Sequence, residues 1–330
     1  MATLYLTQQG AVLKKTSQRL VVEKDNVRLL EAPVFQVDRI LIFGNVQIGS
    51  QTVAFLLERG IDVSFLSLGG RLRGRLASAQ SKNAFLRLAQ YDRSRNEAFR
   101  LRLAKSFVGG KLKNQKALLY RYQRNHSEMD LSEPIGVIER SLTELPNKKQ
   151  IESVLGVEGG ASGAYFRAFG EMLRKSFQFE RRQRHPPRDP VNALLSFGYV
   201  LITNELDGVL ESLGFDPFIG FLHGIRYGRR SLALDLVEEF RHPLADTLTL
   251  SLVNLGVLKE DDFQTTLEDG VRMTPAGLKK YFEHYDKRVN KPLADDAGDS
   301  KVSFRQLFRT QAERLEKAVM ENQEYQPFLC

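Results

Sequence analysis

The stretch RLRGRLASAQSKNAFLRLA, residues Arg71–Ala89, holds the change of pattern that decides the fold. Arg71–Ala77 reads as a strand. From Phe85 onward the spacing is helical: Phe85, Leu86, Leu88 and Ala89 open a period that Ala98, Phe99, Leu101, Leu103 and Ala104 continue. Upstream, the short runs Leu4–Leu6, Arg19–Val22, Arg28–Leu30, Val34–Val37 and Ile40–Phe43 are expected strands, separated by turn-prone pairs such as Gln9-Gly10 and Asp25-Asn26. GSQTVAFLLERG (Gly49–Gly60) reads as a single helix, with Ser50 or Thr52 as its N-cap and Gly60 closing it. Ile61–Leu66 and Arg71–Ala77 then pair around Gly69-Gly70. Downstream, helices are expected over Lys111–Gln123, Ile135–Thr143, Gln150–Leu155 running on to Phe179, Pro190–Leu213, Ser231–Phe240, Asp246–Leu255, Pro275–Arg288 and Val302–Asn322. Breaks are expected at Gly109-Gly110, Pro146, Pro186-Pro187, Pro243 and the polar loop Pro292–Ser300. The fold class is therefore α+β: a small N-terminal β-rich domain over residues 1–80, then a larger all-α domain over 81–330.

A chain of 330 residues can sustain two such domains. Its single cysteine, Cys330, excludes a disulfide framework and any Cys-based zinc or iron–sulfur centre. Apolar runs such as Ala193–Leu195 and Ile219–Leu222 fall far short of the ~20 residues of a membrane span. MATLYLTQQG has neither the basic nor the apolar segment of a secretory signal, so a cytoplasmic protein with no membrane association is expected. The charge is clustered. Residues 81–125 carry twelve Lys or Arg against Asp92 and Glu97, a local surplus of +10 that exceeds the +8 of the whole chain. Residues 163–188 carry seven against Glu171 and Glu180. Clustered positive charge is the footprint of a polyanion partner, although solvated helix faces carry it too. Glu205, Asp207, Glu211 and Asp216 form an acidic run with no base among them.

Three segments can carry chemistry. GVEGGASG (Gly156–Gly163) has no GK[ST] and follows no strand, so it is not a nucleotide loop. It places Glu158 among tiny residues, where either a helix crossing beside a solvated Glu or a crowded carboxylate near a ligand is consistent with the pattern. FLHGIRYGRRSLALDLVEEF (Phe221–Phe240) puts His223 before a Gly-containing loop and a helix starting at Ser231, whose hydroxyl can cap it; Asp235 and Glu238 share one face of that helix. Imidazole with carboxylates suits Mn²⁺, or Mg²⁺ where oxygen ligands dominate. In RHPPRDPVNALLSFGYVL (Arg184–Leu201), Asp189-Pro190 starts a helix, and Asn192 is a capping residue or a polar support for a neighbouring site.

In this order and spacing, GVEGGASGAYFRAF, RDPVNALLSFGYVL and FLHGIRYGRRSLALDLVEEFRHPLAD resemble the CRISPR-associated integrase of spacer acquisition, the Cas-one family. KLKNQKALL (Lys111–Leu119), MTPAGLKKYFEHYDKR (Met273–Arg288) and the closing FRQLFRTQAERLEKAV…YQPF extend the likeness over nearly the whole chain. The resemblance implies a DNA endonuclease and integrase dependent on Mg²⁺ or Mn²⁺, with Glu158, His223 and Glu238 as metal ligands and Asp235 as an auxiliary catalytic carboxylate. It implies antiviral spacer acquisition, in which a captured fragment's 3′-hydroxyl attacks a phosphodiester at the edge of a CRISPR repeat. It also implies double-stranded DNA as substrate, a homodimer formed through the β-rich domain, a dimer of the small Cas-two protein bridging two such dimers, and a Cas-four nuclease as a further partner. Two rivals share the residues. One is a catalytically silent basic scaffold. The other is a general metal-dependent phosphodiesterase, which would need neither a 3′-hydroxyl nor a branched product.

Overall fold

Four apolar residues in a row, Ile40-Leu41-Ile42-Phe43, are all buried, which a strand achieves only when both of its faces are covered. In the computed structural model, which describes residues 2–76, 83–173, 177–183, 186–266, 270–294 and 301–330, this run lies inside a four-stranded sheet. Its order is β1 (Ala2–Leu6), β5 (Val37–Phe43), β7 (Asp62–Leu66), β8 (Leu72–Leu76). The first three strands are parallel and β8 returns antiparallel. Ile40 and Ile42 join Leu4, Leu6 and Val63 in a core shared with Leu13, Leu20 and Val22 of a second sheet and Leu56 of α1 (Ser50–Glu58). That sheet runs β4 (Val27–Pro33), β3 (Arg19–Lys24), β2 (Val12–Thr16), β6 (Gln47–Ile48). Leu41 and Phe43 point the other way, into the main core, where Phe43 meets Phe197 and Phe282 at ring distances of 6.0 and 5.2 Å. The strand alternation of one residue per face thus joins the β-rich part to the helical part.

The helical part comprises α2 (Ala84–Arg95), α3 (Glu97–Asn125), α4 (Ser132–Glu144), α5 (Ile151–Glu171), α6 (Pro190–Leu213), α7 (Ser231–Val237), α8 (Thr247–Asn254), α9 (Pro275–Asn290) and α10 (Phe304–Glu321). It also holds two short hairpins that helical periodicity could not announce: β9 (Phe263–Thr266) with β10 (Gly270–Met273), and β11 (Leu293–Ala294) with β12 (Lys301–Val302). The Asp189 carboxylate accepts the Asn192 N–H at 2.7 Å and starts α6 with Pro190 in its first turn. α6 is apolar and long enough for a membrane span by composition alone, but 72% of its most apolar window is buried inside the protein. It is a core helix.

Several expected boundaries move, each for a visible reason. α3 is unbroken across Gly109-Gly110, because Gly110 is where Pro327 of the C-terminal segment packs. Val34–Gln36 is a 3₁₀ turn between β4 and β5, following Pro33, which has no N–H to extend the ladder. α5 stops at Glu171, and Phe179 folds back against Phe169 at 5.7 Å. Gly49, not Ser50 or Thr52, caps α1; Thr52 Oγ1 instead accepts the Lys15 N–H. Ser231 does not cap α7, since its hydroxyl is taken by Arg229 Nε at 3.0 Å. Pro243 lies within a π-helical segment, Arg241–Asp246, that links α7 to α8. The expected domain boundary at residues 80 and 81, the end of the Arg71–Ala77 strand, Arg184 and most of the loop Pro292–Ser300 lie outside the described residues.

Candidate functional site

α7 is the element around which the site is built. Asp235 in its second turn is fully buried and accepts the N–H groups of Phe221, Leu222 and His223 at 2.5, 3.0 and 2.9 Å. It also sits 2.8 Å from His223 Nδ1. An ionised carboxylate acting only as acceptor fixes that nitrogen as the N–H bearer and leaves Nε2 with its lone pair outward. Nε2 lies 4.0 Å from Glu238 Oε1. The structure therefore separates the two acids on this face: Asp235 orients the histidine, and Glu238 stands in front of it.

From the other side, α5 carries Glu158, whose Oε1 accepts the Ser162 hydroxyl at 3.0 Å. Between Glu158 and Glu238 stands Lys111 of α3, its side chain 3% exposed. Its ammonium contacts Glu158 Oε1 and lies 2.8 Å from Glu238 Oε2. Arg241 reaches the other Glu238 oxygen at 3.0 Å while its guanidinium lies 4.8 Å over the Tyr199 ring. Burial alone would raise the Glu238 carboxyl, but Arg241 and Lys111 overcome it and hold this group well below the usual carboxylate range. Glu158 is lowered in the same way: burial opposes, and the Lys111 ammonium prevails. The adjacent Glu239 goes in the opposite direction. Burial pushes its carboxyl up to about 7, despite hydrogen bonds from Tyr325 Oη, Phe328 N and Gln311 Nε2. Of the three acids near the end of α7, Glu238 is thus an ionised group facing the histidine, while Glu239 faces the C-terminal segment.

Of the expected site residues, Glu158 and Glu238 are brought onto the same Lys111 ammonium, and His223 Nε2 lies 4.0 Å from Glu238. Asn192 does not join them; it accepts from Arg182 Nη1 and Gln183 N, both at 2.8 Å, and braces that chain segment. Lys111, Arg241 and Tyr325 were not singled out as site residues by the sequence reading. The glycines beside Glu158 are exposed, and a Cβ at Gly156, Gly159 or Gly160 would meet nothing within 4 Å. The glycine face of α5 is therefore open and not a helix crossing, and it lies away from the side that carries Glu158, since positions one or two apart on a helix do not face the same way.

Two ionised carboxylates and one imidazole nitrogen held in a fixed tautomer form a hard, mainly oxygen donor set, which fits Mn²⁺ or Mg²⁺. Among the described residues no three His, Cys, Asp or Glu side chains already stand at coordinating distance. The cation between the two carboxylates is the Lys111 ammonium.

A family model described as CRISPR associated protein Cas1 matches residues 4–287. A CRISPR-associated endonuclease Cas1 of Thermus thermophilus is 34% identical over 331 residues, covering 99% of this chain and 97% of its own. A Cas4 exonuclease/Cas1 endonuclease fusion of Geobacter sulfurreducens is 33% identical, covering 94% of this chain and 57% of its own. Among solved structures, a casposase bound to integration product superposes with TM-score 0.87 at 24% identity, covering 99% of this chain and 93% of that one. A Cas6-RT-Cas1–Cas2 complex gives TM-score 0.84 at 25% identity, over 99% of this chain and 36% of that one.

Proposed function

The chain belongs to the CRISPR-associated Cas1 family, and from that premise we propose that it is a divalent-metal-dependent DNA endonuclease and integrase that inserts short captured DNA into a CRISPR array. One observation carries the reading: Glu158 and Glu238 flank one Lys111 ammonium, His223 Nε2 lies 4.0 Å from Glu238, and Glu158 and His223 remain partly exposed. Glu158, Glu238 and His223 Nε2 would hold Mg²⁺ or Mn²⁺. A bound divalent ion there supplies Lewis-acid stabilisation of charge on a phosphate undergoing displacement. The chain's own groups prepare that site. Asp235 holds the imidazole; Arg241, braced on Tyr199, holds Glu238 ionised. Glu158 and His223 are partly exposed, which leaves room for a backbone phosphate to approach. Arg100 on α3 lies against Gly224, the residue after His223. The exposed Arg95, Arg102, Lys113 and Arg124 extend the positive charge along α2 and α3, suited to phosphates without base readout. The reaction is attack by a fragment's 3′-hydroxyl on a phosphodiester at the repeat edge: a new P–O bond joins fragment to repeat, the existing P–O3′ bond breaks, and the displaced strand leaves with a 3′-hydroxyl that takes up a proton. Water in place of that hydroxyl gives nicking.

The names of the relatives support partners for this chain as well. A Cas2 protein is the expected bridging partner and a Cas4 nuclease a further one, since a Cas1–Cas2 complex and a Cas4/Cas1 fusion are among the matches. A homodimer through the β-rich part is favoured by Val27, Leu29 and Leu30 on the edge strand β4 and by Phe35, which is 78% exposed. A cytoplasmic location without membrane association completes the reading.

Strand transfer tests it. The protein, with and without its Cas2 partner, receives a labelled duplex bearing free 3′-hydroxyls, a repeat-containing plasmid and Mn²⁺ or Mg²⁺. Wild type is expected to join label to plasmid, His223→Ala to fail, and a 3′-dideoxy end to abolish joining. Equal DNA binding by both proteins with no joining under any condition would favour the silent scaffold. Turnover of single strands indifferent to the 3′-hydroxyl would favour a general phosphodiesterase.

A further inference from the structure

A buried lysine is rare unless paired, and Lys111 is paired with the same two carboxylates that the metal needs. Its Nζ touches Glu158 Oε1 and lies 2.8 Å from Glu238 Oε2. Arg241 already occupies the other Glu238 oxygen, at 3.0 Å. The two carboxylates are therefore balanced by two cations before any metal enters. A divalent ion ligated by both carboxylates, at the ~2.1 Å typical of Mg²⁺–oxygen bonds, would take the space of the ammonium and repel what remained nearby. Lysine is suited to yield: its charge sits at the end of a four-carbon stem that can swing while α3 stays in place. Glu158 and His223 keep 21% and 24% of their side chains exposed, so a DNA phosphate arriving beside them offers the displaced ammonium a new anion.

Building on the metal-dependent integrase reading, we propose that Lys111 is a resident counter-cation. It holds Glu158 and Glu238 together while no metal is bound, competes with the divalent ion for them, and passes its charge to a DNA phosphate when ion and substrate bind together. Metal and DNA then bind with positive coupling, and each strengthens the other by the same factor.

The test measures metal affinity and not turnover. Mn²⁺ is titrated calorimetrically into the full-length wild type, Lys111→Met and Lys111→Arg, and melting temperatures are recorded in chelator and in Mn²⁺. Without DNA, Lys111→Met is expected to bind Mn²⁺ at least ~10-fold more tightly than wild type, since it lacks the competing charge. It should melt lower than wild type in chelator, because Glu158 then loses its cation and Glu238 keeps only Arg241, and recover with Mn²⁺. A 3′-dideoxy duplex should tighten Mn²⁺ binding by wild type about 10-fold, after subtraction of binding by DNA alone, and leave Lys111→Met unchanged. Lys111→Arg, which keeps the cation, should bind Mn²⁺ no more tightly than wild type; if Lys111→Met does not fold, a tighter-binding arginine variant overturns the proposal by itself. Equal or weaker Mn²⁺ binding by folded Lys111→Met, while His223→Ala abolishes wild-type binding, sinks the counter-cation and leaves the metal centre standing. Absence of Mn²⁺ binding by wild type and Lys111→Met alike removes both.

Discussion

Asp235 accepts three backbone N–H groups and faces His223 Nδ1 from a position with no exposed surface. Asparagine at this place has the same shape but one acceptor oxygen, and its amide would point N–H groups at N–H groups. Asp235→Asn is expected to lower stability by about 2–4 kcal/mol, the range for stranding buried donors of a charge-assisted set. It should also lower strand transfer at least ~10-fold, the low end for losing the partner that orients a ligating histidine. Urea unfolding and the joining assay check the two effects; an Asn variant that is stable and active would show that the imidazole needs no such support. At this scale the site was partly legible. His223, Asp235 and Glu238 share one short segment, so their spacing showed in the sequence, and Glu158 stood out as a charge among glycines. Lys111 was hidden because it is one of twelve bases in residues 81–125, where charge reads as a solvated face. The signal that would have separated it is register. Phe107, Lys111, Gln115 and Leu118 follow one another at helical spacing and are all buried, so the lysine lies on the inward stripe of α3.

Within α3, Gly109 and Gly110 each lower helix propensity by about 1 kcal/mol relative to alanine, so their place inside an unbroken helix needs a packing reason. Gly110 has one: a Cβ there would stand 2.6 Å from Pro327 Cβ. At Gly109 a Cβ would meet Leu145 Cδ2 at an ordinary 3.6 Å. Gly109→Ala is accordingly expected to be neutral or to gain up to ~1 kcal/mol. Gly110→Ala should lose about 1–2 kcal/mol, because overpacking outweighs the propensity gain. It should also loosen the segment whose Tyr325 and Phe328 bond Glu239, seen as faster amide exchange at Phe328. Thermal melts of the two variants decide; Gly110→Ala at least as stable as Gly109→Ala would remove the packing explanation. Elements with a strong period were readable: the ILIF strand, α6 bounded by its Asp-Pro start, and α10 behind Ser303. The C-terminal segment beyond Asn322 was not, since it has no regular structure and its contacts reach residues more than 80 positions away. Gly-Gly looked like a break because local pattern cannot tell a turn from a place made thin for a neighbour.

Across the whole molecule, the acidic run that meets no base in sequence meets several in space. Glu205 on α6 is bound by Arg39 of β5 at 2.9 Å and by Arg305 of α10 at 3.1 Å, and Tyr285 donates to it at 3.0 Å. Asp207 and Glu211 take Arg75 of β8 and Arg230 just before α7. These ion pairs join the β-rich sheet, the central helix and the approach to the site, and the pairs made by Arg39 and Arg75 escape any local reading of charge because their halves lie more than a hundred residues apart. Burial opposes ionisation of Glu205, but Arg39 and Arg305 prevail and hold its carboxyl below the ordinary 4.5. A carboxyl lowered in the folded state stabilises fully above the unfolded value and loses that contribution as pH falls through the folded one. Glu205→Gln keeps the shape and removes the charge, leaving the partly exposed Arg39 and Arg305 with Asp62 and Asp286 as their remaining acidic partners, and should cost about 1–3 kcal/mol at neutral pH. The gap between wild type and variant is expected to be widest at neutral pH and to narrow below 4.5 as wild-type Glu205 becomes protonated. Urea unfolding at pH 7 and at steps below 4.5 measures it. A gap that stays constant, or widens in acid, would mean that the arginines do not hold this carboxylate ionised. The same helix carries Tyr199, which donates to Asp246 at 2.6 Å and underlies Arg241 beside Glu238. Loosening at Glu205 should therefore reach the site, and strand transfer by Glu205→Gln should fall even under conditions where the protein remains folded.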